Sequence, residues 1–360
     1  MGGAQTFLLN LLSRWPDERD EIHVAALGSR SELLEAFREL KRIRTHASGG
    51  GNPSAGNMAR ALLCLSGGGF DIIHCHLSRS GVFALLCPLP PRAGLILHEH
   101  GDPTLRHFYY HFAIRARQRR VDRVFANAPD VAQQFGRCVR FPSERIAVVP
   151  NGICVDRFES CASRREEFRD ELGIASEAPV IGFVGRLAKQ KGASYLIEAL
   201  GFVHRERPDA IALIVGDGPL RPTLEAQAAT LGLSGSVRFV GYQIDTPKWL
   251  SAFDVGVIPS LWEPFGIVAI EMMAAGIPVV AANLGGLRDN IRNGITGFLV
   301  PSENAQAIAE SVLRLISDDR LGRELAEEAH AYVAEHFAIE KVALRIRTLY
   351  DGIAEGRRSF

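Results

Sequence analysis

The sequence predicts an α/β chain of two Rossmann-like halves, each a parallel sheet with helices between its strands. Three observations predict it. Short apolar, β-branched runs alternate with helical stretches; the series stops at a charged, turn-rich segment and then begins again; and 360 residues at 47% hydrophobic exceed one ordinary core but suit two.

In the opening MGGAQTFLLNLLSRW, Gly2 and Gly3 precede an amphipathic helix with Phe7, Leu8, Leu11 and Leu12 on or near one face. Glycines at a helix start let backbone approach a phosphate closely, so Gly3 is a candidate donor contact; an ordinary helix start is the plainer alternative. EIHVAAL, FDIIHCH, AGLILHEH, VDRVFAN and RIAVVPN then read as strands of the first half. Ligands of open parallel sheets lie beyond the carboxyl ends of the strands, which marks His74, His76, His98, His100 and Asn151 by position alone. Glu99 and Asp102 are weaker candidates for acceptor contact.

TLRHFYYHFAIRARQRRVDR reads as one helix carrying Arg115, Arg117, Arg119, Arg120 and Arg123 beside Phe108, Tyr109, Tyr110 and Phe112. Such a mixture marks either a membrane surface or, more commonly, a solvated face whose long stems cover the core. After VVPNGICVDRF, the segment CASRREEFRDELGIASEAP reads as a linker and the first helix of the second half. VIGFVGR, AIALIVGDG, SVRFVGY, DVGVIPS, IPVVAAN and TGFLVPS follow as strands, and the last helices are long and amphipathic. The expected divisions are 1–155, 156–335 and a closing helix over 336–360.

The chemistry concentrates in SLWEPFGIVAIEMMAAGIP. A loop with Glu263 and Pro264 turns near Phe265 into an apolar helix. A helix start carries unpaired N–H groups and partial positive charge, so the backbone of Gly266, Ile267 and Val268 suits a phosphate. Glu271, about one turn in, suits a vicinal diol such as a ribose, and Glu263 would face the other end of the same ligand. An isolated pair of glutamates at this spacing is more often an ordinary buried helix. Its company decides otherwise: IGFVGRLAKQKG places Gly185, Arg186 and Lys191 just after a strand, and GIPVVAANLGG supplies another strand ending in glycines.

VGRL with KG, then SLWEPFGIVAIE, then G-PVVA with GG, in that order, is similar to the retaining glycosyltransferases of GT-B architecture, the large group called family 4, and the likeness covers nearly the whole chain. That resemblance implies two Rossmann-like domains facing across a cleft, with the C-terminal helix crossing back to the first. It implies a nucleotide-sugar donor (UDP- or GDP-sugar), a hydroxyl acceptor that includes lipid-linked candidates, and retention of configuration. It places a histidine at the position of His100 near the donor sugar. It also implies a strand ahead of the Gly2–Gly3 loop that this sequence does not contain, hence a first sheet short of a central strand.

Departure of a nucleoside diphosphate develops negative charge, so Arg186, Lys191 and the helix opening are the expected stabilisers, with Glu263 and His100 beside them as catalytic candidates. Tyr242, after SVRFVGY, is a candidate neighbour of the base. No Asp-x-Asp occurs, so no metal and no cofactor is expected. GDGP at Gly216 has Arg221 where a dinucleotide fingerprint needs its third glycine, and no G-x-x-x-x-G-K-[ST] is present, which disfavours a dehydrogenase and an ATPase. A sugar-nucleotide 2-epimerase of the same architecture and a non-catalytic sugar-nucleotide-binding subunit are the competing readings.

Charges balance at 41 against 41, unevenly: residues 1–150 hold 19 Lys and Arg against 13 Asp and Glu. A basic front half is a candidate for peripheral contact with an anionic membrane, and too mildly basic for nucleic acid. The six cysteines, without C-x-x-C spacing, read as small core residues of a cytoplasmic protein, and no metal is expected among them. No apolar run is long enough to span a bilayer.

Overall fold

The computed structural model describes residues 3–27, 31–40, 42–46 and 55–358. Gly2 lies outside them. The chain divides into two units, Met1–Gly152 with Ile339–Phe360, and Ile153–Ala338.

Every run read as a strand forms one, and all pair in parallel. In the first unit these are β1 (Ile22–Ala25), β2 (Ile43–His46), β3 (Ile72–His76), β4 (Gly94–Glu99), β5 (Arg123–Ala126) and β6 (Ile146–Val148). β2, in the polar alternation RIRTH, was not expected. The strands form a two-stranded β1–β2 sheet and a four-stranded sheet in the order β3-β4-β5-β6. β4 is buried along its whole length, as a strand covered on both faces must be, and Leu95, Leu97, Val124, Ile114 and Phe135 form the core around it.

The helix Ile339–Arg358 completes this first unit. Tyr350 Oη meets His74 Nδ1 at 2.5 Å, and Arg357 donates to both oxygens of Asp122 at 2.9 and 2.8 Å. Arg347 pairs with Asp20 at 2.6 Å.

The arginine-rich stretch is not one helix. Pro103–Leu105 forms a 3-10 turn capped by the Asp102 carboxylate, which accepts from the Thr104 N–H at 2.7 Å; the helix proper is Phe108–Arg117; and Arg123 opens β5. Asp102 is thus a turn cap. Three of the arginines are spent internally: Arg115 donates to the Cys138 carbonyl, Arg120 to those of Leu85 and Cys87, and Arg123 to that of Glu144. Beside Arg115 and Arg117 the helix leaves aromatic rings to solvent, Phe108 and Phe112 being 83% and 71% exposed.

The second unit carries β7 (Val180–Val184), β8 (Ile211–Val215), β9 (Val237–Gly241), β10 (Val255–Ile258), β11 (Val279–Ala282) and β12 (Phe298–Val300) in the order β12-β11-β10-β7-β8-β9. β7 comes first in sequence and lies in the middle. From it the chain winds outward through β8 and β9, then returns to β10 and winds the other way. The loops leaving β7 and β10 therefore part in opposite directions, and between them, beyond the strand ends, lies the place where open α/β sheets take ligands.

Among the described residues no helix is long and apolar enough to cross a membrane.

Candidate functional site

Apart from Tyr242, which follows the edge strand β9, the sequence-predicted groups of the second unit lie on the two loops and the helix at this switch between β7 and β10. After β7 the backbone passes Gly185, Arg186 and a 3-10 turn, Lys189–Lys191, ending at Gly192 with φ 63°. After β10 it passes Pro259 to Glu263 and enters the helix Ile267–Ala274 through Gly266, φ 84°.

These two loops are bound to each other. The Leu261 N–H donates to the Gln190 carbonyl at 2.8 Å, and Gln190 Nε2 to the Trp262 carbonyl at 3.1 Å. Gly192 lies so close to Pro259 that a Cβ there would stand 1.9 Å from its carbonyl oxygen. On the far side the Gly286 N–H donates to the Glu263 carbonyl at 2.9 Å, and Asn290 Nδ2 to that of Phe265 at 2.6 Å.

Within this frame Lys191 Nζ meets Glu263 Oε2 at 2.5 Å, with side-chain exposures of 23% and 11%. Ser260 Oγ donates to the same carboxylate oxygen at 3.2 Å. Gly266 is itself close by, since a Cβ on it would lie 3.4 Å from Glu263 Cγ. Lys191, Glu263 and the mouth of the helix are thus one cluster. The first backbone bond there runs from the Ala269 N–H to the Gly266 carbonyl, so the amides of Ile267 and Val268 precede it and face outward from the helix start.

Arg186 is exposed on the same loop and, among the described residues, makes no ion pair. Glu271 is half-buried in the helix, and burial pushes its carboxyl up to about 7 while the charge of Arg157 pulls the other way. Phe265 is only 4% exposed, its ring against Phe337, so its backbone alone is available to a ligand. Tyr242 is 64% exposed beyond β9.

Breaking the Lys191–Glu263 pair has a measurable cost. Glu263→Ala leaves a largely desolvated ammonium alone, and the expected loss is about 3 kcal/mol, the low end for a buried pair because part of Lys191 stays wet. Chemical denaturation measures it, and inorganic pyrophosphate should restore part of the loss by supplying the missing anion. A midpoint unchanged from the parent protein would mean the pair is energetically idle.

In the first unit the histidines gather on one sheet face. His74 and His76 lie two apart on β3, His98 stands opposite His76 on β4, and His100 follows. His76 Nδ1 and His100 Nε2 are 3.0 Å apart, and the other nitrogen of His100 faces Asn151 Oδ1 at 3.3 Å. Phe7 covers this group, 5.7 Å from His98 and 5.6 Å from His100 between ring centres. Burial holds His100 well below the usual histidine range and His76 down at about 4, so both imidazoles are neutral near pH 7. Glu99 is buried, its carboxyl raised to about 7 by desolvation against the pull of Arg106 at 3.6 Å. Gly3 opens the first helix, Gly3–Ser13, at an exposed position.

Sequence reasoning missed Gln190, Ser260 and Asn290, whose roles are to tie one loop to another. Only the pairing of β10 with β7 on one side and β11 on the other reveals them.

Comparison with known proteins gives the family. Glycosyl transferases group 1 match residues 164–332, and glycosyltransferase family 4 matches residues 1–157. The chain is 34% identical over 320 residues to a D-inositol 3-phosphate glycosyltransferase of Streptomyces scabiei, covering 81% of this chain and 70% of that protein. It is 26% identical over 300 residues to the Escherichia coli UDP-Gal:alpha-D-GlcNAc-diphosphoundecaprenol alpha-1,3-galactosyltransferase, covering 78% and 75%. Against other curated relatives the match spans little more than half of their length, 54% and 58%. The crystal structure of Anabaena HepE in complex with UDP-glucose superposes with a TM-score of 0.81 at 25% identity, covering 100% of this chain and 97% of that one. Parallel Rossmann-like sheets in both units, a glycine-framed Lys–Glu pair at a helix mouth and these likenesses place the chain in the group 1, family 4 glycosyltransferases of GT-B fold.

Proposed function

We propose that the protein moves a sugar from a nucleoside diphosphate sugar to a hydroxyl acceptor, with retention of configuration and without a metal in the reaction. The observation that carries this reading is the convergence of Lys191, Glu263 and the Gly266 helix mouth at the switch between β7 and β10.

The donor pyrophosphate lies over the amides of Ile267 and Val268. As the bond from the sugar carbon to the phosphate oxygen breaks, the leaving diphosphate gains charge, and Lys191 and Arg186 stabilise it. Glu263 holds the Lys191 ammonium in place while the donor is intact. His100, neutral, serves as a hydrogen-bond partner for the sugar. The departing phosphate takes the acceptor's hydroxyl proton, which is how the reaction proceeds without a nucleophilic side chain.

Glu271 accepts hydrogen bonds from the ribose hydroxyls. The ionised form is the one that binds, and burial raises its carboxyl to about 7. Donor affinity is therefore expected to be flat above about pH 8 and to fall by about tenfold per unit well below 7. Calorimetric titration of a nucleoside diphosphate across this range checks it. Glu271→Gln should bind weakly with no such dependence, and a parent protein with a flat profile would remove Glu271 from the ribose.

A UDP-sugar is favoured by the HepE complex, and a lipid-linked acceptor by the Escherichia coli relative. Leu105, Phe108 and Phe112, exposed in the first unit, supply an apolar surface for peripheral contact with the cytoplasmic face of a membrane bearing such an acceptor. The role that goes with this reading is the synthesis of glycolipids or cell-surface polysaccharides. A thermal-shift screen of UDP-, GDP- and ADP-sugars, followed by NMR of the product formed on polyprenyl-diphosphate-linked and soluble sugars, tests the reading. Product of the donor's own anomeric configuration is expected. An inverted product, turnover that requires added Mg²⁺ or Mn²⁺, or no shift with any nucleotide would each overturn the corresponding part.

A further inference from the structure

In the first unit, three residues distant in sequence come together at the edge of the β1–β2 sheet. His23 is on β1, His46 ends β2, and Cys64 is on the helix Ala55–Gly67. His23 Nδ1 lies 3.0 Å from His46 Nε2 and 3.8 Å from Cys64 Sγ, and all three donor atoms are within 4.8 Å of one another. Tetrahedral zinc at ordinary bond lengths sets its nitrogen ligands about 3.3 Å apart and a nitrogen and a sulfur about 3.6 Å apart. The observed separations differ from these by a few tenths of an ångström.

The second nitrogen of His23 carries a further sign. His23 Nε2 faces Glu21 Oε1 at 3.0 Å, the carboxylate–histidine arrangement that fixes the tautomer of a metal-binding imidazole and raises its basicity. Arg44 shares that carboxylate at 3.0 Å. His46 and Cys64 also line an open pocket with Thr45, Arg60 and Leu63, which gives a cation and a fourth ligand a way in.

We propose that His23, His46 and Cys64 form a binding site for a thiophilic divalent cation of the zinc type, oriented by Glu21 and open at its fourth position. The bound cation ties β1, β2 and the helix Ala55–Gly67 together, and takes no part in sugar transfer. A second histidine group, His74, His76 and His98, also lies within ligand distance, but His74 Nδ1 is engaged by Tyr350, His76 Nδ1 by His100, and no thiolate is present. Soft thiolate with imidazole is the donor set that selects zinc and its neighbours.

Cobalt(II) titration of the chelator-treated full chain tests this, because a thiolate ligand gives a charge-transfer band that histidine alone does not. The band is expected in the parent protein, absent in Cys64→Ser, and displaced by stoichiometric Zn²⁺. Glu21→Gln should weaken cobalt binding by about 10–100-fold, and Zn²⁺ should raise the thermal midpoint of the parent protein but not of His46→Gln. Should Cys64→Ser fail to fold, zinc protection of Cys64 from alkylation in the parent protein, mapped by mass spectrometry, reads the same contact. No thiolate band, a band that survives in Cys64→Ser, or alkylation of Cys64 undiminished by Zn²⁺ would overturn the proposal. Loss of donor binding leaves these readouts untouched.

Discussion

Lys191→Ala is expected to lower kcat by about 10²–10³-fold, the usual cost of removing one positioned donor from a developing negative charge. Affinity for the intact donor should fall much less. The reason lies in the ground state. Lys191 is already paired with Glu263 at 2.5 Å, so the donor's phosphates gain little from an ammonium whose charge is balanced. As the diphosphate leaves, its growing charge competes with Glu263 for the ammonium, and the interaction strengthens when the barrier is crossed. Arg186, exposed and without an ion pair among the described residues, should instead contribute similarly to donor binding and turnover. Single-turnover rates set against calorimetric affinity separate the two. Equal loss of donor affinity with kcat intact would remove Lys191 from the leaving group.

Gly192→Ala should be among the most damaging small substitutions in the second unit, at about 4 kcal/mol. Two costs add. Its φ of 63° is left-handed, worth about 1–2 kcal/mol for an L side chain. The new Cβ would also stand 1.9 Å from the Pro259 carbonyl oxygen and 2.9 Å from its carbon, and both atoms are backbone, so the loop must move. That loop carries Ser260 and Glu263, and donor binding should be lost even where the variant remains folded. Gly276→Ala isolates the first cost: φ is 71° there, and nothing lies within 4 Å of its added Cβ. Denaturant midpoints for the two variants should differ by more than half of the Gly192→Ala loss. Equal midpoints would mean that the Pro259 contact yields freely.

Much of the fold was legible because a buried parallel strand must be almost wholly apolar, and VIGFV, IALIV, VGVI and VVAA cannot easily be anything else. β2 escaped because IRTH is half-exposed and polar, with no hydrophobic run to mark it. The Lys191 and Glu263 loops could be nominated from glycine spacing. That the two close on each other could not, since strand order, which sets β7 beside β10, leaves no local trace. The arginines at 115, 120 and 123 were legible only as charge; their acceptors are carbonyls of distant segments, to which any sequence pattern is blind. Cys64 read as a small core residue for the same reason, its neighbours His23 and His46 arriving from β1 and β2.

The closing helix gives the chain an inverted order of assembly. Residues 153–338 are contiguous and have all their sheet partners once residue 300 has been made, whereas the earlier unit lacks Tyr350 beneath His74 and Arg357 on Asp122 until the last turns emerge. Domains generally mature during synthesis in the order they leave the ribosome. Here the half translated first must wait, His74 and Asp122 without these partners, for the half translated second to finish.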